Sequence, residues 1–281
     1  MQVVGQDTAP ARSPERFRIA ETVCPVLKNE PVNDGYFHLV LDAARGAAAA
    51  DAGQFFHLLC PRTAELTPFL RRPMSIYRID RAQGRLEFLY KIVGMGTKGL
   101  AMLKPGDTLD IFGPLGKGFE IPDGCRHVVM VARGVGLATL APLAELATGQ
   151  DARVTAILSA RSPDYLMSED YLRSVGAEVV TVTDAEGTSG VDDVEARVRA
   201  LIATEDVGLL ATCGSNRLLL MLQGLAKEYG IPGQVALEQL MGCGIGMCFV
   251  CVLPFRTADG LEYKRVCKDG PVFPIEEALS W

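Results

Sequence analysis

Four cysteines near the end of the chain restrict what this sequence can fold into. Cys243, Cys248 and Cys251 follow the spacing C-x4-C-x2-C within Gly242-Cys243-Gly244-Ile245-Gly246-Met247-Cys248-Phe249-Val250-Cys251, and Cys267 follows after fifteen further residues. The first three positions match a plant-type 2Fe-2S ligand set, which needs four thiolates. Gly244 and Gly246 let the backbone wrap closely round an inorganic core and aim N–H groups at its sulfurs. A structural zinc site also takes four cysteines, but its usual form is two short C-x2-C knuckles. Disulfides are a third reading, although three cysteines within nine residues could pair only through tight, strained loops.

A chain of 281 residues suits two or three modest domains. With 48% apolar and 22% charged residues the composition is that of an ordinary globular protein. The net charge of -6 gives no basic footprint, so neither nucleic acid nor an anionic membrane surface is an expected partner. No apolar run approaches the ~20 uncharged residues that span a bilayer, and residues 1–18 are polar, without the apolar core of a signal peptide. The expected compartment is therefore the cytoplasm, where the eight cysteines are thiols or metal ligands. Cys24, Cys60, Cys125 and Cys213 lie apart from the cysteine-rich stretch, and their blander reading is as small buried hydrophobes. His38, His57 and His127 show no metal or triad spacing and read as structural. No nucleophile elbow, Walker loop or hydrolytic carboxylate pair appears.

Residues 1–16 read as a loose lead-in. Short apolar runs then cover 17–27, 36–41, 54–59, 74–79, 86–93 and 108–112, punctuated by Asn33-Asp34-Gly35, Gln83-Gly84 and Pro105-Gly106-Asp107. Such runs predict an antiparallel barrel or sandwich, interrupted by an Ala-rich surface insertion at 43–52. The rhythm changes at 128–131, a continuous apolar run of the buried parallel-strand kind, followed by Gly134-Val135-Gly136 and a helix over 137–148. Strands over 154–158, 178–182 and 207–212 alternate with helices over 164–174 and 191–203. A further helix, capped by Ser215, runs to residue 229, so a doubly wound α/β domain is expected. The last fifty or so residues hold a strand at 234–237, the cysteine loop, and a hairpin of 252–255 against 261–266. The fold class is multidomain α+β: a barrel over 17–120, an α/β unit over 121–231 and a cysteine-rich unit over 232–281.

Five motifs precede the cysteine loop. In Arg72-Pro73-Met74-Ser75 a guanidinium fixed before a rigid proline can meet a phosphate, and the serine hydroxyl can donate to a ring nitrogen; a plain surface arginine is the alternative. Gly94-Met95-Gly96-Thr97 opens a short helix over 98–103 and offers either an anion site or an ordinary capped turn. Gly113-Pro114-Leu115-Gly116-Lys117-Gly118-Phe119 is glycine-dense for a hinge, with a domain linker as the alternative. In the α/β unit, Gly134-Val135-Gly136 is the kind of turn that admits a dinucleotide phosphate, and Cys213-Gly214-Ser215 lies at the carboxyl edge of the sheet.

The order of these pieces resembles the ferredoxin-NADP reductase superfamily, and within it the electron-transfer subunit of two-component dihydroorotate dehydrogenase, over about residues 17–281. The segment Leu237-Glu238-Gln239-Leu240-Met241-Gly242 is similar to that family's entry into the cluster loop. The resemblance implies FAD on Arg72, Pro73, Met74, Ser75, Gly94, Gly96 and Thr97, with Tyr90 and Ile92 in the strand leading to them. It implies a 2Fe-2S cluster on Cys243, Cys248, Cys251 and Cys267, NAD(P) at Gly134, Gly136, Cys213 and Gly214, and Glu238 as the carboxylate nearest the flavin. It further implies an oxidoreductase of pyrimidine biosynthesis that moves electrons between NAD(P)H, FAD, the cluster and a catalytic flavoprotein in a heterotetramer. The sequence departs from the family at the nucleotide turn. Ala132 and Arg133 stand in place of two glycines, Thr139 in place of a proline, and Ser215 in place of the proline after Cys-Gly. Arg133 either clamps a phosphate or fills the nucleotide's space. A reductase serving another dehydrogenase, demethylase, oxygenase or ferredoxin fits the same residues, as does a non-catalytic subunit with zinc on the cysteines.

Overall fold

The computed structural model describes residues 19–43 and 48–280, so the expected lead-in and Gly46 lie outside the described residues. Seven strands form the first sheet: β1 (Ala20–Asn33), β2 (Tyr36–Asp42), β3 (Phe55–Leu58), β4 (Arg72–Ser75), β5 (Arg78–Asp80), β6 (Arg85–Lys91) and β7 (Thr108–Leu115). Their order is β4-β3-β7-β1-β2-β6-β5, with every pairing antiparallel. The two outermost strands are consecutive in the chain, which curls the sheet on itself. Ile76 N–H donates to the Gln54 carbonyl beside β3, and Tyr77 N–H donates to the Glu87 carbonyl on β6. The single strand expected over 74–79 is therefore two, because the chain changes edges at this corner.

Alternate residues of β1, β2, β3 and β6, including Val26, Leu39, Phe56, Leu58 and Phe88, point inward to one core. Ala43, Ala48 and Ala50 join it, each almost fully buried, which corrects the expected surface insertion. Small side chains pack there against the closing end of the barrel. Helix α1 (Met95–Leu100) begins three residues before the expected 98. Gly94 caps it, with Thr97 Oγ1 accepting from the amides of Val93 and Gly94.

The second sheet has five parallel strands, β8 (His127–Arg133), β9 (Arg153–Ala160), β10 (Glu178–Thr183), β11 (Leu209–Cys213) and β12 (Gly233–Ala236). Its order is β10-β9-β8-β11-β12, and β15 (Val272–Pro274) completes it antiparallel to β12. Along β8, Val128, Met130 and Ala132 face α2 (Gly136–Thr148) and the barrel's Tyr36 and Tyr77. Val129 and Val131 face the other way, towards α4 (Val191–Thr204) and α5 (Asn216–Tyr229). The helix expected over 164–174 is shorter, α3 (Glu169–Ser174). Pro163 opens a separate 3-10 turn, and Ser168 at φ +64 is held by the Tyr77 hydroxyl at 2.6 Å. Ser215 caps α5 as expected, accepting from Leu218 N–H.

Between β12 and β15 the chain forms the cysteine loop, the hairpin of β13 (Val252–Thr257) and β14 (Gly260–Arg265), and the one-turn α6 (Val266–Asp269). Cys251, Phe255, Val266 and Cys267 pack into the same core as α5. The glycine-dense segment at the end of β7 is tied down on two sides instead of hanging free: Lys117 N–H donates to the Gly270 carbonyl of this region and Phe119 N–H to that of Ala52 in the barrel. Among the described residues no helix is long and apolar enough to cross a membrane.

Candidate functional site

The R-P-x-S and G-x-G-T motifs converge. Arg72 on β4 lies across the turn before α1, close enough that a Cβ on Gly96 would come within 2.7 Å of its Nε. Its guanidinium also donates to the Leu70 carbonyl. Above this pair opens a cavity of about 580 Å³ walled by Arg72, Pro73, Met74, Ser75, Tyr90 and Thr97 from the barrel side. Val135, Ala138 and Thr139 of the first α/β turn and Leu237 to Met241 close the other wall. Volume and lining, mostly apolar with a few convergent polar groups, suit a flavin. Tyr90 reaches the wall from a side chain buried in the barrel, where its hydroxyl donates to Asn29 Oδ1 at 3.0 Å. Ile92 packs against the barrel core instead of lining the cavity. The Thr97 hydroxyl is spent on the helix cap, also donating to the Gly94 carbonyl.

A second cavity of about 410 Å³ adjoins the first. Gly134 and Gly214 line it, together with Tyr36, Lys91, Arg133 and Arg161, and three cations there suit an anionic ligand. Gly136 is a contact point, since a Cβ would lie 2.5 Å from the Cys213 carbonyl oxygen. Cys213 itself is buried, and burial followed by the charge of Glu238 pushes its thiol well above the usual range. Arg133 is held at the cavity edge: its guanidinium donates to Ser159 Oγ at 2.8 Å and to Asp184 at 2.7 Å. Asp184 is held down to about 2, first by Arg133 and then by Ser189. Glu238 lines both cavities, so the carboxylate stands where they meet. Its side chain faces open space, yet the surrounding walls push its carboxyl up. Lys91, Arg161, Phe55 and Thr139 were not singled out as ligands by sequence. Of these, Arg161 carries a positional signal, because it directly follows β9 at the carboxyl edge of a parallel sheet.

Met241 ends the flavin-side wall, and two residues later the chain reaches Cys243. The four thiols fall into two pairs. Cys243 Sγ accepts from the amides of Met247 at 3.2 Å and Cys248 at 3.4 Å, while Cys248 Sγ accepts from the Cys243 amide. Cys251 Sγ accepts from the Cys267 amide at 3.4 Å. Burial pushes Cys243 up, but the amides of Ile245, Cys248 and Met247 and the Cys248 thiol more than offset it, bringing the group down to about 6. Burial, with Cys251 beside it, pushes Cys267 up to about 12. Amides aimed at sulfur and a two-plus-two arrangement fit a dinuclear centre in which each iron takes two thiolates. Gly246 is pressed against the Lys268 side chain, and the Arg265 guanidinium donates to its carbonyl and to Asp269. Cys251 and Cys267 are buried, whereas Cys248 is exposed amid Met247, Phe249, Val250 and Leu240, all largely exposed.

A curled barrel, a doubly wound sheet and a thiol loop beside a flavin-sized cavity define an electron-transferring oxidoreductase of the ferredoxin-NADP reductase type. Residues 238–279 match the family described as the iron-sulfur cluster binding domain of dihydroorotate dehydrogenase B. The chain is 35% identical over 260 residues to the dihydroorotate dehydrogenase B (NAD(+)) electron transfer subunit of Bacillus mycoides, covering 90% of this chain and 96% of that one. The Desulforamulus reducens counterpart is 33% identical over 85% of this chain and 90% of its own. Among solved structures, an NADH-dependent reduced ferredoxin-NADP oxidoreductase superposes with a TM-score of 0.76, at 27% identity, over 91% of this chain and 89% of that one. Ferredoxin-NADP+ reductase from Plasmodium falciparum, at 13% identity and a TM-score of 0.57, shares the fold over 74% of this chain and 91% of its own. The chain belongs to the family of dihydroorotate dehydrogenase B electron transfer subunits.

Proposed function

We propose that this chain is the electron-transfer subunit of a cytoplasmic dihydroorotate dehydrogenase, taking electrons between NAD(H) and a catalytic flavoprotein subunit. The observation that carries it is the junction at residues 237–243, where one continuous segment walls the flavin cavity, presents Glu238 to the nucleotide cavity and enters the cysteine loop. FAD exchanges two electrons with a nicotinamide and a 2Fe-2S centre carries them singly, so a chain holding both joins a hydride donor to a one-electron path. Arg72 holds the flavin's phosphates against Gly96, and Ser75 orients its ring. Gly134 and Gly214 give backbone access to the nucleotide, Lys91 and Arg161 counter its charge, and Glu238 positions it against the flavin. Cys243, Cys248, Cys251 and Cys267 ligate the cluster. In this reading residues 17–120 hold FAD, 121–231 take the nucleotide and 232–281 carry the cluster, with the last unit threaded through the sheet of the second. The apolar rim of Met247, Phe249 and Val250 round the exposed Cys248 faces the catalytic subunit.

Anaerobic stopped-flow absorbance tests this. Mixing the purified chain with NADH should bleach the flavin band and then the cluster band, and adding the catalytic subunit with orotate should restore both. Bleaching that no catalytic subunit and orotate can reverse would replace the partner assignment; a chain that neither NADH nor NADPH reduces would remove the nucleotide role.

A further inference from the structure

His57 is a buried polar side chain that the assignments above leave without a role. It stands on β3 with 1% of its surface exposed, and its Nε2 has no hydrogen-bond partner. Leaving such a group unpaired in the interior is costly, so a buried nitrogen aimed at a cofactor loop asks for an acceptor. Strand alternation sets Phe55 and His57 on one face, with ring centroids 5.8 Å apart. Phe55 walls the flavin cavity and pairs with Ser75, while His57 pairs with Pro73. At its other side the imidazole edge abuts the cysteine loop: a Cβ on Gly244 would lie 3.0 Å from both Cε1 and Nε2. Gly244, at φ +73, directly follows Cys243. Burial, with the nearby charge of Arg71, pushes His57 down to about 4, so the ring is neutral near pH 7 and carries a single N–H.

We propose that His57 Nε2–H donates a hydrogen bond to a sulfur of the 2Fe-2S centre held by the cysteine loop. One strand then supplies a flavin wall at Phe55 and a cluster hydrogen bond two residues on. A donor at a cluster sulfur stabilises the more negative, reduced state and so raises the reduction potential. This inference rests on the assignment of the four cysteines to the cluster. Iron and sulfide content of the Cys248→Ser variant tests that assignment separately.

Pulsed EPR of the reduced full-length chain, labelled with 15N-histidine, should show a nitrogen coupled to the cluster, and His57→Gln should abolish the histidine signal. Dye-mediated redox titration supplies an independent readout. His57→Leu should bind FAD with unchanged flavin potential, while at fixed ambient potential the reduced fraction of its cluster falls about tenfold relative to oxidised, equivalent to about 59 mV. His57→Gln, which keeps a donor, should recover most of that shift. A fully loaded Leu variant with an unshifted cluster potential would overturn the proposal. If the Leu variant cannot hold iron, the labelled wild-type spectrum decides, and absence of histidine coupling there would equally overturn it.

Discussion

Gly96 lies directly beneath Arg72, and the methyl group of an alanine at that position would sit 2.7 Å from Nε and 3.0 Å from Cζ. The guanidinium therefore takes its place because residue 96 has no side chain. Gly96→Ala should push it aside and cost one charge-assisted phosphate contact, about 1.5–3 kcal/mol. The FAD dissociation constant should rise about 10- to 100-fold, read by flavin fluorescence on titrating the flavin-free chain. Arg72→Ala should have a similar effect and the double variant little more, since both act through one contact.

Replacing the exposed Cys248 with serine removes one of the four thiolates while leaving the flavin cavity, which Cys248 does not line, untouched. Iron and acid-labile sulfide should fall to near zero with FAD retained stoichiometrically, measured by metal analysis and by the flavin spectrum after denaturation.

Asp184 and Ser159 hold Arg133 along the carboxyl ends of β9 and β10. Asp184→Asn should free the guanidinium for a nucleotide phosphate and favour the ligand with an extra one. The ratio of NADPH to NADH reduction rates in stopped-flow should increase by up to about fivefold, the scale of one exposed charge pair. Thermal stability should change little.

His127, at the opposite end of the sheet from both cavities, is buried with Nε2 against Thr155 Oγ1 at 2.9 Å. Burial lowers its pKa more than the neighbouring Glu205 raises it. Below the ordinary value of 6.5 the unfolded chain therefore takes up a proton that the folded chain refuses, and stability declines as pH falls. Circular dichroism melting between pH 7.5 and 5 should show a steeper decline for wild type than for His127→Gln.

The chemistry was legible where it depends on residue type at fixed spacing. The alternation of apolar strand and helix from residue 127 appears close to the expected places, apart from the shortened α3, and the motifs at 72–75 and 94–97 come together in space. What sequence could not display is what folding brings together. The alanines at 43, 48 and 50 looked like insertion because nothing local says that small side chains fill a barrel end. The 74–79 run looked like one strand because the change of edge at Ile76 and Tyr77 depends on partners remote in the chain. The approach of His57 to the cysteine loop was hidden because its neighbour Gly244 lies far along the chain. Of the three cations round the second cavity, Lys91 and Arg161 belong to no motif.

The strands that bracket the cysteine segment, β12 and β15, are hydrogen-bonded to each other. Residues 237–271 thus form a single excursion whose two ends are clasped at the base. The entropy of bringing those ends together is met by the sheet before any iron arrives, so metal capture needs only local ordering. A chain stripped of its cluster should keep its thiols gathered and remain competent for reloading. A chain cut ahead of Val272 should lose that readiness and expose the bare edge of β12 to self-association.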